Sequence, residues 1–181
     1  MKTIYALLIC LFLASFTNAQ DRYLTKKGTI TFFSESPMEN IEAKNNQVLS
    51  IVDVSNGQMA ISILMKSFLF EKALMQEHFN ENYVESDKYP KATFKGSILD
   101  FENISTSKTK IKVKGNLTIH GKTKEITIEA MTAKKDDVLK MTGEFFINLV
   151  DFDIEIPSVV KDNIAKSIKV SFNFNHEIYK K

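Results

Sequence analysis

Along residues 110–131, KIKVKGNLTIHGKTKEITIEAM, apolar side chains fall at Ile111, Val113, Leu117 and Ile119, then at Ile126, Ile128 and Ala130. Lysines, threonines and glutamates fill most positions between them. Period-two alternation on both sides of a short polar break at Gly121 predicts two antiparallel strands and their turn, with one apolar face and one wet face. A two-stranded ribbon cannot bury such a face alone. It must be one wall of a closed barrel or lie against a second sheet.

The same period recurs along the chain. Residues 21–33 alternate around Gly28, where the strand is expected to bend. Residues 34–40 carry Pro37 and read as a loop, and 41–44 and 48–54 read as two short strands. Asn56-Gly57 is a strong hairpin signal that turns the chain into 58–65, where Met59, Ile61, Ile63 and Met65 share a face. Across 67–80 the period changes. Phe70, Leu74, Met75 and His78 or Phe79 recur at helical spacing and predict one short helix lying over an opening of the barrel.

Pro90 breaks the chain before a strand at 92–101, and a polar turn at 105–109 leads into the central ribbon. After a charged turn at 134–137, a strand at 138–149 has Met141, Gly143, Phe145 and Ile147 in one phase. Residues 151–163 read as irregular around Pro157, and 167–179 as a last strand with Ile168, Val170, Phe172 and Phe174 facing in. Eight or more antiparallel strands and one helix, with no repeat or linker, predict an all-β fold: a single β-barrel.

The first nineteen residues differ in kind. Lys2 precedes an apolar run from Ile4 to Phe16, and Thr17-Asn18-Ala19 ends in small residues. This is the pattern of a secretory signal peptide over 1–19, cleaved before Gln20, leaving 20–181 as the mature domain. No stable membrane insertion is expected after cleavage, because the apolar run is short for a bilayer. Cys10, the only cysteine, lies in the signal. The mature chain is therefore expected to enter an oxidising compartment without a disulfide or a thiol nucleophile. Of 24 basic residues Lys2 is lost with the signal, leaving 23 against 22 acidic ones. The lysines follow the outward phase of the strands without a dense basic patch, so nucleic acid is not an expected partner.

Catalytic patterns are absent from the sequence. His78, His120 and His176 are scattered without zinc-ligand spacing, so no metal or other cofactor is expected. No nucleophile elbow, phosphate loop or HExxH occurs. His120 reads as an exposed turn residue, and Asp151 and Asp153 as turn-formers. The protein is not expected to be an enzyme.

Three stretches carry a family resemblance. His78-Phe79 with SDKYPKATF at 86–94, GNLTIHGKTK at 115–124 and Asp151-Phe152 resemble, in order and spacing, the YceI-like family of periplasmic lipocalin-like proteins. Two positions depart from its pattern: the first strand, GTITFFS at 28–34, has no histidine, and Lys122 stands where a valine is usual. The resemblance implies an eight-stranded lipocalin-like barrel, periplasmic or secreted, holding an isoprenoid chain of polyprenyl or quinone type. The inward side chains alone leave two readings open, a filled core or a ligand lumen. A filled barrel would serve as an interaction or structural module. A lumen, as the resemblance implies, would be lined by Ile61, Ile63, Phe70, Leu74, His78, Phe79, Phe94, Ile111, Val113, Leu117, Ile126, Ile128, Phe145, Ile147, Val170 and Phe172. Met59, Met65, Met75 and Met141 would fill an irregular core or adapt to a flexible tail equally well.

Overall fold

The alternation forms the strands it predicts. A computed structural model describes residues 22–99 and 101–179, so the expected signal at 1–19 lies outside the described residues. The strands are β1 (Arg22–Ser34), β2 (Ile41–Asp53), β3 (Gln58–Leu64), the two-residue β4 (Leu69–Phe70) and β5 (Lys91–Leu99). They continue as β6 (Thr109–Ile119), β7 (Lys122–Lys135), β8 (Val138–Asn148) and β9 (Ser167–Tyr179). The single α-helix among the described residues is α1 (Ala73–His78), extended by a wider π turn at Phe79–Tyr83.

Around the sheet the order is β1-β9-β8-β7-β6-β5-β3-β2, every neighbouring pair antiparallel. β2 then pairs back onto β1. Phe32 of β1 lies opposite Ala43 of β2 on one side and Val170 of β9 on the other. The sheet is a closed eight-stranded barrel, with β4 appended to β2.

Gly28 bends β1 as expected. Between the Ile30–Asn45 and Gly28–Val48 pairs β2 carries one extra residue, and between Gly28–Val48 and Thr25–Ser50 β1 does. The two compensating bulges turn both strands together. They also explain why β2 is one strand where two short ones were expected. The polar run Asn45-Asn46-Gln47 is absorbed at a bulge, where buried Asn45 donates from Nδ2 to the Leu64 carbonyl (2.9 Å) and accepts at Oδ1 from the Gln47 N–H (2.8 Å).

The helix is shorter than its spacing predicted. Residues 65–67 form a 3-10 turn, and Phe70 pairs with Ala43 on β2. Aromatic packing wins over helical spacing here: Phe68 and Phe70 join Phe32 and Phe79 in a cluster with ring centroids 5.1 to 5.7 Å apart.

Glycines set the middle of the barrel. Gly96 and Gly115 face each other across β5 and β6, and the Phe94 ring lies over both. A Cβ on Gly115 would sit 2.7 Å from that ring and 2.5 Å from the Gly96 Cα. Phe172 covers Gly143 and Phe174 covers Gly28 in the same way, each within 2.6 Å of where a Cβ would be. Bare backbone lets these rings close against the wall where a Cβ would stand.

Below them the barrel is solid. Tyr23, Val52 and Leu139 are fully buried, and so is His176, the next inward position after Phe174. Its Nδ1–H donates to the Leu139 carbonyl (3.2 Å), and its Nε2 accepts from the Ser50 hydroxyl (2.8 Å). Burial pushes the imidazole down from 6.5 to about 4. The unfolded chain therefore takes up this proton first. The stability His176 contributes as a neutral ring is complete above the unfolded value, and is lost as the pH falls from there towards the folded one. The loss is on the order of 3 kcal/mol. Urea denaturation at about pH 7 and about pH 4.5 is expected to show it, and His176→Gln to diminish it. An equal loss in the variant would contradict this account of His176.

Candidate functional site

The inward rows do not fill the upper barrel. Between the aromatic floor and α1 lies a cavity of about 320 Å³, and a smaller one of about 50 Å³ lies beneath it. The strands supply rigid apolar walls. Three irregular segments supply the mouth: the β1–β2 loop, the stretch from Met65 to Val84, and residues 149–164. The last two reach the cavity through apolar side chains such as Met75, Phe79, Ile154 and Ile164, and the β1–β2 loop through Glu39.

The expected lumen residues separate into three groups. Phe70, His78, Phe79, Ile147 and Val170 line the upper chamber. Ile61, Phe94, Val113, Ile126, Ile128 and Phe172 line the lower one, and Ile63, Leu117 and Phe145 line both. Two expectations need correction. Leu74 is 61% exposed, because the helix starts only at Ala73 and its phase turns Met75 inward. Ile111 is buried but lines neither chamber: it packs at the level of Ala130, in the solid part of the barrel.

Sequence reasoning missed Phe32, Phe68, Tyr83 and Ile154, which also line the chamber. Phe32 follows Ile30 in the inward phase of β1 and was available from alternation. The other three stand on irregular chain, where no period marks the inward side.

Few polar groups reach this chamber. Ser34 is buried, and its Oγ accepts from the Ala165 N–H (2.8 Å). Glu39 pairs with Lys72, whose ammonium is held above its usual range chiefly by the hydrogen bond to that carboxylate. His78 accepts at Nδ1 from the Asn82 amide (3.0 Å). Burial raises the Tyr83 phenol above its usual range. The chamber is an apolar vessel with a thin polar rim.

One side of the rim is clasped. His120, expected to be an exposed turn residue, adopts a left-handed φ of +51° and is mostly buried. Its Nε2 lies 2.7 Å from Glu85 and its Nδ1 lies 3.1 Å from the Phe152 carbonyl, while Tyr89 packs edge-on against the ring. The hydrogen bond to His120 is the main influence holding the Glu85 carboxyl below its usual range. Beside it Lys122 meets Asp153 (2.7 Å) and Lys124 meets Asp151 (3.5 Å). The β6–β7 turn thus ties the segment following the π turn to the 149–153 turn. Lys122, unusual against the family pattern, has an acidic partner here.

With this geometry, comparison with known proteins is direct. The YceI-like domain matches residues 21–176. The chain belongs to the YceI-like family. Solved structures share the fold at low identity. A polyisoprenoid-binding domain from Saccharophagus degradans, implicated in plant cell wall breakdown, is 14% identical, with a TM-score of 0.76 over 88% of this chain and 99% of its own. BcnA from Burkholderia cenocepacia is 19% identical, with a TM-score of 0.64 over 85% and 97%. The Campylobacter jejuni YceI protein is 18% identical, with a TM-score of 0.60 over 79% and 87%. No curated protein sequence matches the chain.

Within this YceI-like barrel the three histidines stand apart, at the mouth, in the β6–β7 turn and in the solid end. Among the described residues no group of three or more His, Cys, Asp or Glu is placed to hold a metal, and no helix is long and apolar enough to cross a membrane. His120→Ala removes both contacts of the clasp and is expected to cost about 1–3 kcal/mol, read from denaturant midpoints. A change below about 0.5 kcal/mol would show that the turn holds without it.

Proposed function

We propose that this protein binds an isoprenoid lipid and carries its chain in the upper chamber, as a non-enzymatic, exported barrel. The observation that carries the reading is the chamber itself: about 320 Å³, walled by Ile, Phe, Leu and Val, its rim charges paired with each other. An open apolar space of this size within an otherwise well-packed barrel forgoes contacts that a ligand would restore. It favours a lumen over the filled-core alternative.

The energetics suit a hydrocarbon. Each buried methylene contributes about 0.8 kcal/mol, so a five-carbon isoprene unit contributes on the order of 3–4 kcal/mol. Association costs at least about 4 kcal/mol before any net affinity appears. Two or three buried units exceed that cost without a hydrogen bond, and the site recognises the tail more than the head. The structural relative from Saccharophagus degradans, a polyisoprenoid-binding domain, supports the same ligand class.

Export rests on residues 1–19, with Lys2, an apolar run and Thr17-Asn18-Ala19, and on a mature chain without cysteine. The reading places the mature domain at 20–181, in the periplasm or outside the cell.

Native mass spectrometry of protein isolated from its own secretory compartment tests both halves. A chain beginning at Gln20 with a stoichiometric adduct of isoprenoid mass is the expected result. Phe79→Asp, which sets a charge against the chamber, is expected to arrive bare while remaining folded. A native protein that stays bare after incubation with prenyl lipids would overturn the lipid assignment.

A further inference from the structure

Resting on the isoprenoid reading, we infer that a ring formed by Ile30, Ile63, Leu117 and Phe145 stops the lipid tail after two to three isoprene units, with Phe145 as the specificity-determining residue. These four side chains line both the upper and the lower chamber, so they form the partition between them. They come from β1, β3, β6 and β8, strands distributed around the barrel.

Volume sets the depth. A cavity of about 150 Å³ accepts benzene, so some 25 Å³ serves each carbon. On that scale the upper chamber of about 320 Å³ takes roughly a dozen carbons, or two to three isoprene units. The space below the ring, about 50 Å³, takes only about two carbons.

The lower chamber cannot easily grow. Phe94 and Phe172 line it with their rings against glycine backbone, so they have no side chain behind them to displace. Beneath them lies the fully buried end of the barrel. Phe145 is the movable part of the partition. It is only half-buried, faces Val170 across the strands and stands 6.5 Å from Phe172, centroid to centroid. Removing its ring joins the two chambers.

The tail that ends at this ring could belong to a short isoprenoid enclosed whole, or to a long one whose remainder leaves through the mouth. Displacement of anilinonaphthalenesulfonate by geraniol, farnesol, geranylgeraniol and solanesol separates these sources and tests the stop. In the native protein, Kd is expected to fall about tenfold or more from geraniol to farnesol and by less than about threefold from farnesol to geranylgeraniol. Solanesol binding as well as farnesol identifies the end of a long lipid. Solanesol binding far more weakly identifies a short one, and in both cases the stop stands.

Phe145→Ala is expected to restore a gain of about tenfold between farnesol and geranylgeraniol. If that variant does not fold, Ile63→Ala opens the same ring from β3 and decides the matter. A native protein that gains as much beyond farnesol as before it, or a folded variant with an unmoved profile, overturns the stop while leaving the carrier reading intact. No displacement by any of the four alcohols overturns both.

Discussion

The structure depends on β1 pairing on both of its sides. A sheet of eight strands with one apolar face would otherwise expose two unpaired edges and a half-covered core. By meeting β2 along one edge and β9 along the other, β1 removes both edges and turns every inward row towards a common axis. Such closure needs strong curvature, which the paired bulges around Gly28 and Asn45 provide. Everything within the barrel, filled or hollow, follows from that enclosure.

The interior then divides according to what stands at each level. Where glycine occupies the wall, a phenylalanine from the same or a neighbouring strand spreads across it, and the barrel is blocked. Lower still, buried His176 and Ser50 satisfy each other, a polar pairing that an apolar ligand could not replace. Above the aromatic floor the walls carry no such pairing of ring and glycine, and the space stays open. Its cover is built from chain that is not strand: α1, the π turn and the 149–164 segment, held in part by His120 and two lysine–aspartate pairs. These exposed pairs each contribute little energy, but they fix where the mouth lies.

Much of this was legible in the sequence because a half-buried strand must alternate. The ribbon from Ile111 to Ala130 and the last strand from Ile168 to Phe174 lie as their phases predict. The same phase, followed two residues further, would have found His176. What stayed hidden depends on partners distant in the chain. Asn45 does not break β2 because Leu64 accepts its amide, and His120 is clasped because Glu85 and Phe152 come to it. Nothing local marks either. The helix was misplaced for a related reason: Leu74 fits a helical stripe on paper, but the aromatic cluster keeps Phe68 and Phe70 extended and shifts the helix start. Neither could alternation reveal a cavity, since a filled core and a lined lumen share one pattern.

The central claim is that the upper chamber binds a hydrocarbon chain, and calorimetric titration with farnesol over a range of temperatures tests it most directly. The account predicts saturable one-to-one binding whose enthalpy grows more negative on warming, the negative heat-capacity change of buried apolar surface. Heats that never saturate, or saturable binding with no change in heat capacity, would contradict it.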